Sequence, residues 1–309
     1  MASLSTTDLV RKELRRQRTD IPGALFAGAL LLALFLALAM LILTVLLIDV
    51  VSTGWPVLSE RLEDFLSGRL SARPARAGVS QGLHGSFWIA VFVVGLAFPI
   101  GIAAAIYLEE YAPKSRLSRF IDVNIRNLAG VPSIVYGLLG FAIFVKALGD
   151  LTGGRTVMAA GITLAVLVLP IVIITSAEAI RAVPDSIREA GFGVGATRWE
   201  VVRSHVLPYA APGILTGTVL ALARALGEAA PLILVGAVTD FLGGSSGLFD
   251  VSQLTEKFTA MPIVIFSWAG QPREEFRALT AAAIVVLLVV VLLANSAAIL
   301  LRNRYEKRR

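Results

Sequence analysis

Arg224 and Glu228 stand four residues apart inside an apolar run from Ala211 to Val238, and in a helix that spacing puts both on one face. An ionised side chain near the middle of a membrane span costs at least about 2.5–3.5 kcal/mol unless it is paired or hydrated. Two kinds of chemistry meet that cost. The guanidinium can hold a travelling anion, since its planar fork of donors suits the oxygens of a phosphate-like group. Alternatively, the two side chains neutralise each other as a structural ion pair that locks the helix. Arg181, just inside the fourth apolar run, is a further pathway candidate, with a plain anchoring role on the positive side of the membrane as its other reading. Lys146 lies near the outer end of its run, where its stem lets the ammonium snorkel to water.

Other chemistries are excluded by what the chain lacks. It has no cysteine, so no thiolate metal site or disulfide exists, and its two histidines, His84 and His205, are far apart. None of the five lysines follows a glycine, so there is no phosphate-binding P-loop, and no H-E-x-x-H or G-x-S-x-G pattern is present. The chain therefore reads as no enzyme and as carrying no metal or cofactor; any ATP and Mg²⁺ that drive it belong to a partner ATPase. A net charge of +6 could suggest nucleic acid, but the basic residues lie in loops between apolar runs and form no single basic face.

One polar island interrupts the second half: SIREAGFGVGATRWEVVRSHVLP, residues 186 to 208. Ser186 followed by Glu189, and Thr197 followed by Glu200, are two capping-box patterns and predict two helix starts. Gly195 falls between them, where a left-handed residue would end the first helix, and Pro208, with no N–H to donate, is expected to stop the second.

The elements that must hold these groups are membrane spans. At 56% hydrophobic residues and a mean hydropathy of +0.79, a 309-residue chain is too apolar for a soluble domain. Six runs are long enough to cross a bilayer: residues 24–48, 87–107, 130–148, 157–177, 211–238 and 278–301. This predicts an all-α, polytopic protein with a tail at 1–23, a permease domain at 24–301 and a tail at 302–309. With the N-terminus inside, the inner segments hold 18 Lys/Arg and the outer segments 8, which places both termini and the loop 178–210 in the cytoplasm. Residues 49–83 and 239–277 then face out, and the short run Met261 to Ala269 is expected to lie on the outer membrane surface. Leu117, Phe120, Ile121 and Ile125 oppose Arg116, Arg119 and Arg126, which predicts an interfacial helix leading into the third span. That span is interrupted by Gly130, Pro132, Gly137 and Gly140, and irregular backbone at membrane depth is tolerated only under protein or beside a water-filled cavity. In the fifth span, Gly213, Gly217 and Ala221 form a small-residue stripe that lets a neighbouring helix approach, and the stripe runs on toward Arg224 and Glu228.

The polar island resembles the cytoplasmic loop of bacterial ATP-binding-cassette importer permeases, of pattern E-A-A-x3-G-x9-I-x-L-P. Glu189, Ala190, Gly195, Leu207 and Pro208 match; Gly191 replaces the second alanine and His205 the isoleucine. Glycine at 191 is expected to keep the docking face slim while weakening the helix by roughly 1 kcal/mol relative to alanine. Without that resemblance the loop is simply a capped amphipathic hairpin. The strings GVPSIVYGLLGF (130–141), ARALGEAAPLI (223–233), FTAMPIVIFSWAGQPREEFRALTAAAIVVLL (258–288) and LRNRY (301–305) are similar to the permeases of phosphate importers within that family. The resemblance implies the importer permease fold in the bacterial inner membrane, with Arg224 and Glu228 in the phosphate path. It also implies three protein partners besides membrane lipid, and no nucleic acid: a second permease subunit, an ATPase dimer that docks on the loop, and an extracytoplasmic phosphate-binding protein. A permease for another oxyanion, an ATP-independent secondary transporter and a non-transporting scaffold remain as alternatives, although no internal repeat of the kind secondary transporters carry is seen.

Overall fold

The computed structural model describes residues 6–113, 115–238, 254 and 256–306, and every regular element among them is helical. The chain divides after Ser52 into two units. The first holds most of α1 (Thr6–Glu60), which runs well past the apolar stretch ending at residue 48. Leucine and alanine favour that helix intrinsically, and Thr44 turns its hydroxyl onto the helix's own backbone, Oγ1 donating to Met40 O at 2.7 Å.

The second unit begins with the last turns of α1 and continues through α2 (Leu62–Ser67), α3 (Ser80–Tyr111), α4 (Arg116–Ala129), α5 (Ser133–Ala147) and α6 (Val157–Arg181). It then runs through α7 (Asp185–Gly193), α8 (Arg198–Gly227), α9 (Ala230–Val235), α10 (Met261–Ala269) and α11 (Glu275–Glu306). Five of the helices are long and apolar enough to cross a membrane, and six spans result if α4 and α5 are counted as one bent pair.

Helix α6 is the hub: 67% of its most apolar window is buried, against 28–39% for α3, α8 and α11. Its neighbours reach it through glycines. A Cβ on Gly161 would lie 2.6 Å from the Phe92 side chain of α3, one on Gly140 of α5 2.3 Å from Thr163 Oγ1, and one on Gly217 of α8 2.1 Å from Thr175 Oγ1. Threonine hydroxyls in this packing turn back onto their own helix, as Thr163 does to Ala159 O at 2.7 Å and Thr175 to Ile171 O at 2.9 Å, whereas the buried Ser176 Oγ has no partner among the described residues.

The axes of α4 and α5 meet at 99°. Pro132 supplies no N–H to continue α4, and Tyr136 Oη donates to Leu128 O at 2.9 Å, a second bond on a carbonyl at the helix end that already accepts the Val131 N–H at 3.1 Å. The amphipathic stretch read from Leu117 to Arg126 is thus a separate helix turned sharply away from α5; Leu117 and Phe120 are exposed on it.

Helix α10 differs from its expected place on a surface. Met261, Ile263, Val264 and Trp268 are all buried at 5% exposure or less, and the extended Phe258–Ala260 leading into the helix is buried too. Gly85 of α3 makes room for this extended segment, since a Cβ there would sit 1.8 Å from Thr259 O, and Ser86 Oγ accepts the Met261 N–H at 2.9 Å. Trp268 stands between Phe65 and Phe276, with ring centroids 6.2 and 5.9 Å away, and fixes α10 against α2 and α11.

Candidate functional site

Arg224 and Glu228 lie where α8 ends. The helix does not continue to residue 238 as its apolar run suggests: Gly227 is its last residue, Glu228 takes an extended conformation (φ −81°, ψ 121°), and the chain restarts as α9 at Ala230 with Pro231 in the first turn. Pro231 explains the restart, because it has no N–H to give to α8 but fits a first helical turn. The break is covered by α5: a Cβ on Gly137 would meet Pro231 Cα at 2.6 Å, so only glycine lets the two backbones come this close. The glycines read from the third span as pathway irregularities therefore have a packing role, with Gly137 against α9 and Gly140 against α6.

Across the break, Arg224 Nε donates to Glu228 Oε1 at 3.4 Å; the arginine side chain is 42% exposed and the glutamate 19%. This single long contact engages one of five guanidinium donors among the described residues, which leaves donors that can receive an anion. The small-residue stripe packs on α6 as expected, with a Cβ on Gly213 2.7 Å from Ala179 Cβ. It continues, however, through Ala221 and Ala225, both buried, while Arg224 steps off its edge. Gly213 faces Ala179 and Gly217 faces Thr175, an antiparallel register that puts Arg224 level with Val168, near the middle of α6.

Arg181 belongs elsewhere. By the same register it lies opposite the start of the stripe, roughly 20 Å along the helix axis from the level of Arg224 at 1.5 Å per residue. Its Nε donates to Glu109 Oε2 at 3.2 Å, and its Nη2 pairs with the other carboxylate oxygen. Such a bidentate pair joins the ends of α6 and α3. Lys146 stacks over Phe141 at 5.7 Å, as does Arg155 on the same ring.

At that same end of α6, α7 and the start of α8 form a helical hairpin. Gly195 has φ +83°; its N–H bonds to Phe192 O at 2.9 Å and that of Ala196 to Gly191 O at 3.1 Å, the paired bonds of a Schellman turn. Thr197 and Glu200 form the expected capping box, with Thr197 N–H donating to Glu200 Oε2 at 2.7 Å. That backbone bond, and then the Thr197 hydroxyl, hold the Glu200 carboxyl below its ordinary range.

Three details of the hairpin differ from the sequence reading. Ser186 caps nothing: Pro184 sets the extended backbone before the helix, so α7 starts at Asp185 and Ser186 lies within its first turn. Pro208 does not stop the second helix, because a wider turn over Val202–Val206 precedes it and removes the need for its missing N–H. Gly191 is packed within the hairpin, since it is buried and a Cβ would lie 2.7 Å from Val201 Cγ2. Outward, Glu189 and Ala190 are exposed together with Phe192, Val194 and Trp199, the last three at 47%, 85% and 52%. Leu207 is half-buried and Pro208 exposed at the hairpin's far side.

Arg188 was not singled out by sequence, and it fastens the hairpin. Its Nη2 donates to Glu110 Oε1 at 2.8 Å and to Ile180 O at 3.0 Å, and its Nη1 to Val183 O at 2.7 Å and Asp185 Oδ1 at 3.2 Å. The signal available was the acidic pair Glu109-Glu110 at the end of an apolar run, which needs two cations nearby.

The chain matches, over residues 97–307, the family described as binding-protein-dependent transport system inner membrane component. It is 31% identical to the phosphate transport system permease protein PstA of Yersinia pestis over 281 residues, covering 91% of this chain and 88% of that protein. It is 35% identical to the probable ABC transporter permease protein YqgI of Bacillus subtilis (strain 168), of which the chain spans only 58%. Among solved structures, a bacterial ABC transporter involved in the import of the acidic polysaccharide alginate superimposes with a TM-score of 0.58 over 85% of this chain and 95% of that one, at 15% identity, a likeness of fold alone.

Proposed function

Because the chain belongs to the binding-protein-dependent transport system inner membrane component family, we propose that it is the multi-pass permease subunit of an ATP-driven importer of inorganic phosphate and forms half of the translocation pathway. The observation that carries the substrate is the similarity to a phosphate permease along 91% of the chain. Arg224 supports it physically: a guanidinium at mid-bundle, held by one long contact and partly exposed, can exchange Glu228 for a phosphate oxygen as the anion passes. Glu228 keeps the charge compensated when no anion is present, which lowers the cost of an arginine at this depth.

The loop carries coupling in this reading. Glu189, Ala190 and the exposed apolar Phe192, Val194 and Trp199 offer a mixed face to a cleft on an ATPase dimer (PstB-like), which would hold the ATP and Mg²⁺. The other partners are a second permease (PstC-like) and an extracytoplasmic phosphate-binding protein (PstS-like), with both termini of this chain in the cytoplasm of a bacterial cell. Arg181, paired with Glu109 at the cytoplasmic end, serves the inner mouth of the pathway more through its bridge than through substrate contact. The test is to purify the chain with its partners and measure ATP hydrolysis with phosphate, sulfate and molybdate, each presented with the binding protein. Stimulation by phosphate alone is expected; equal stimulation by sulfate would refute the assignment.

A further inference from the structure

At the end of α3 opposite the hairpin, a cavity of about 980 Å³ opens between the loop 69–76 and the junction of α10 with α11. Arg69, Arg76 and Arg273 line it over the rings of Trp268 and Phe276. None of the three arginines has a carboxylate partner among the described residues. Glu274 and Glu275 follow Arg273 directly, but neither lines the cavity.

The loop that presents two of these arginines is held firmly. Arg61 donates to Ala75 O at 2.6 Å and Pro74 O at 2.9 Å, Gly78 N–H bonds to Arg69 O at 2.9 Å, and Ser80 Oγ to Gly68 O at 2.7 Å. Gly68 and Gly78 touch so closely that a Cβ on Gly78 would lie 2.5 Å from the Gly68 carbonyl carbon. The floor is equally fixed, with Trp268 and Phe276 5% and 3% exposed. The three arginines are exposed, so water screens part of their repulsion, and Asp64 lines an adjoining pocket with Arg76; an anion seated among the three guanidiniums is still favoured over an empty cavity of one sign.

We infer that this cavity is a binding site for a phosphate-bearing anion, distinct from the Arg224 pathway and independent of what the chain transports. Its level favours one source. Helix α11 enters its apolar run just beyond Arg273, so the cavity sits where a span meets its boundary, the depth of lipid headgroups. An anionic phospholipid headgroup fits, its phosphate among the guanidiniums and its glycerol against the rings; free inorganic phosphate shares the same chemistry.

The experiment uses the full chain purified in detergent, with retention of phosphatidylglycerol against phosphatidylcholine read by native mass spectrometry, with and without inorganic phosphate as competitor. Arg69→Gln, Arg76→Gln and Arg273→Gln are tested singly and together, with Arg73→Gln as a control that removes the same charge from the same loop outside the cavity. Wild type is expected to prefer phosphatidylglycerol, with roughly fivefold weaker retention per cavity arginine and on the order of a hundredfold for all three. Insensitivity to phosphate assigns the site to lipid, and displacement by phosphate in wild type but not in the triple variant assigns it to the free anion. Equal retention of both lipids with no effect of phosphate overturns the site, as does an Arg73→Gln loss as large as that of Arg69→Gln. The single variants keep the test decisive if the triple variant fails to fold.

Discussion

Arg188 and Glu110 form an ion pair at 2.8 Å whose side chains are 17% and 8% exposed, and the same guanidinium bonds to the carbonyls of Ile180 and Val183. One residue of α7 is thereby tied to the ends of both α3 and α6. Removing either partner leaves a largely buried charge, which typically costs about 3–5 kcal/mol. Arg188→Met and Glu110→Met are each expected to lower the melting temperature of the detergent-purified chain, and the double variant to recover most of it. Recovery of stability without recovery of phosphate-stimulated ATP hydrolysis in the assembled importer would identify the pair as the mechanical tie of the hairpin. Full recovery of both would reduce it to packing.

Gly195 is the second pressure point. A β-branched residue at φ +83° costs on the order of 1–2 kcal/mol and disrupts the turn that aims α7. Gly195→Val should reduce co-purification of the ATPase while membrane insertion is kept, and Gly195→Asn, which tolerates that conformation, should keep both. Normal uptake with Gly195→Val would mean that the hairpin does not couple.

The 18 to 8 division of basic residues predicts an orientation that labelling can check. With no native cysteine, Ser71→Cys and Ser186→Cys are each the sole thiol. An impermeant maleimide should label the first in intact cells and the second only after the membrane is opened. Labelling of Ser186→Cys from outside would reverse the topology.

For the pathway, replacing Arg224 and Glu228 together with methionine removes the charge and the need for compensation, so the chain should insert in normal amounts. If Arg224 receives the anion, phosphate uptake is lost. The exchanged pair Arg224→Glu, Glu228→Arg should also fail, because it moves the guanidinium off the helix and onto the extended backbone after Gly227. Near-normal uptake in either double variant would make the pair a structural lock.

Sequence spacing revealed much of this arrangement and missed parts for definite reasons. Gly213 and Gly217 announced a close helix contact without naming α6 as the partner, while Gly195 and the Thr197–Glu200 box announced the hairpin, because those two depend on local geometry alone. The end of α8 was hidden, since a hydropathy run counts residues and not hydrogen bonds; Pro231 was the available clue. The burial of α10 was hidden too, because a short, largely apolar helix reads alike on a surface and in a core, and the partners that decide between them, such as Gly85 and Ser86 some 175 positions away, are remote in sequence. Arg188 was overlooked because its partners come from α3 and α6, and no local pattern contains them.

The wider turn that carries α8 past Pro208 has a mechanical consequence. Arg198 and Arg224 stand on one continuous helix, and the tightest glycine contact along it, Gly217 on Thr175, lies off-centre. At 1.5 Å per residue the arm from Gly217 to Arg198 is about 28 Å and that to Arg224 about 10 Å. If the helix tilts about that fulcrum, a displacement at the hairpin reaches Arg224 reduced by a factor of roughly three, with force raised in the same proportion. A large stroke at one end thus becomes a short, strong movement of a single guanidinium at the other.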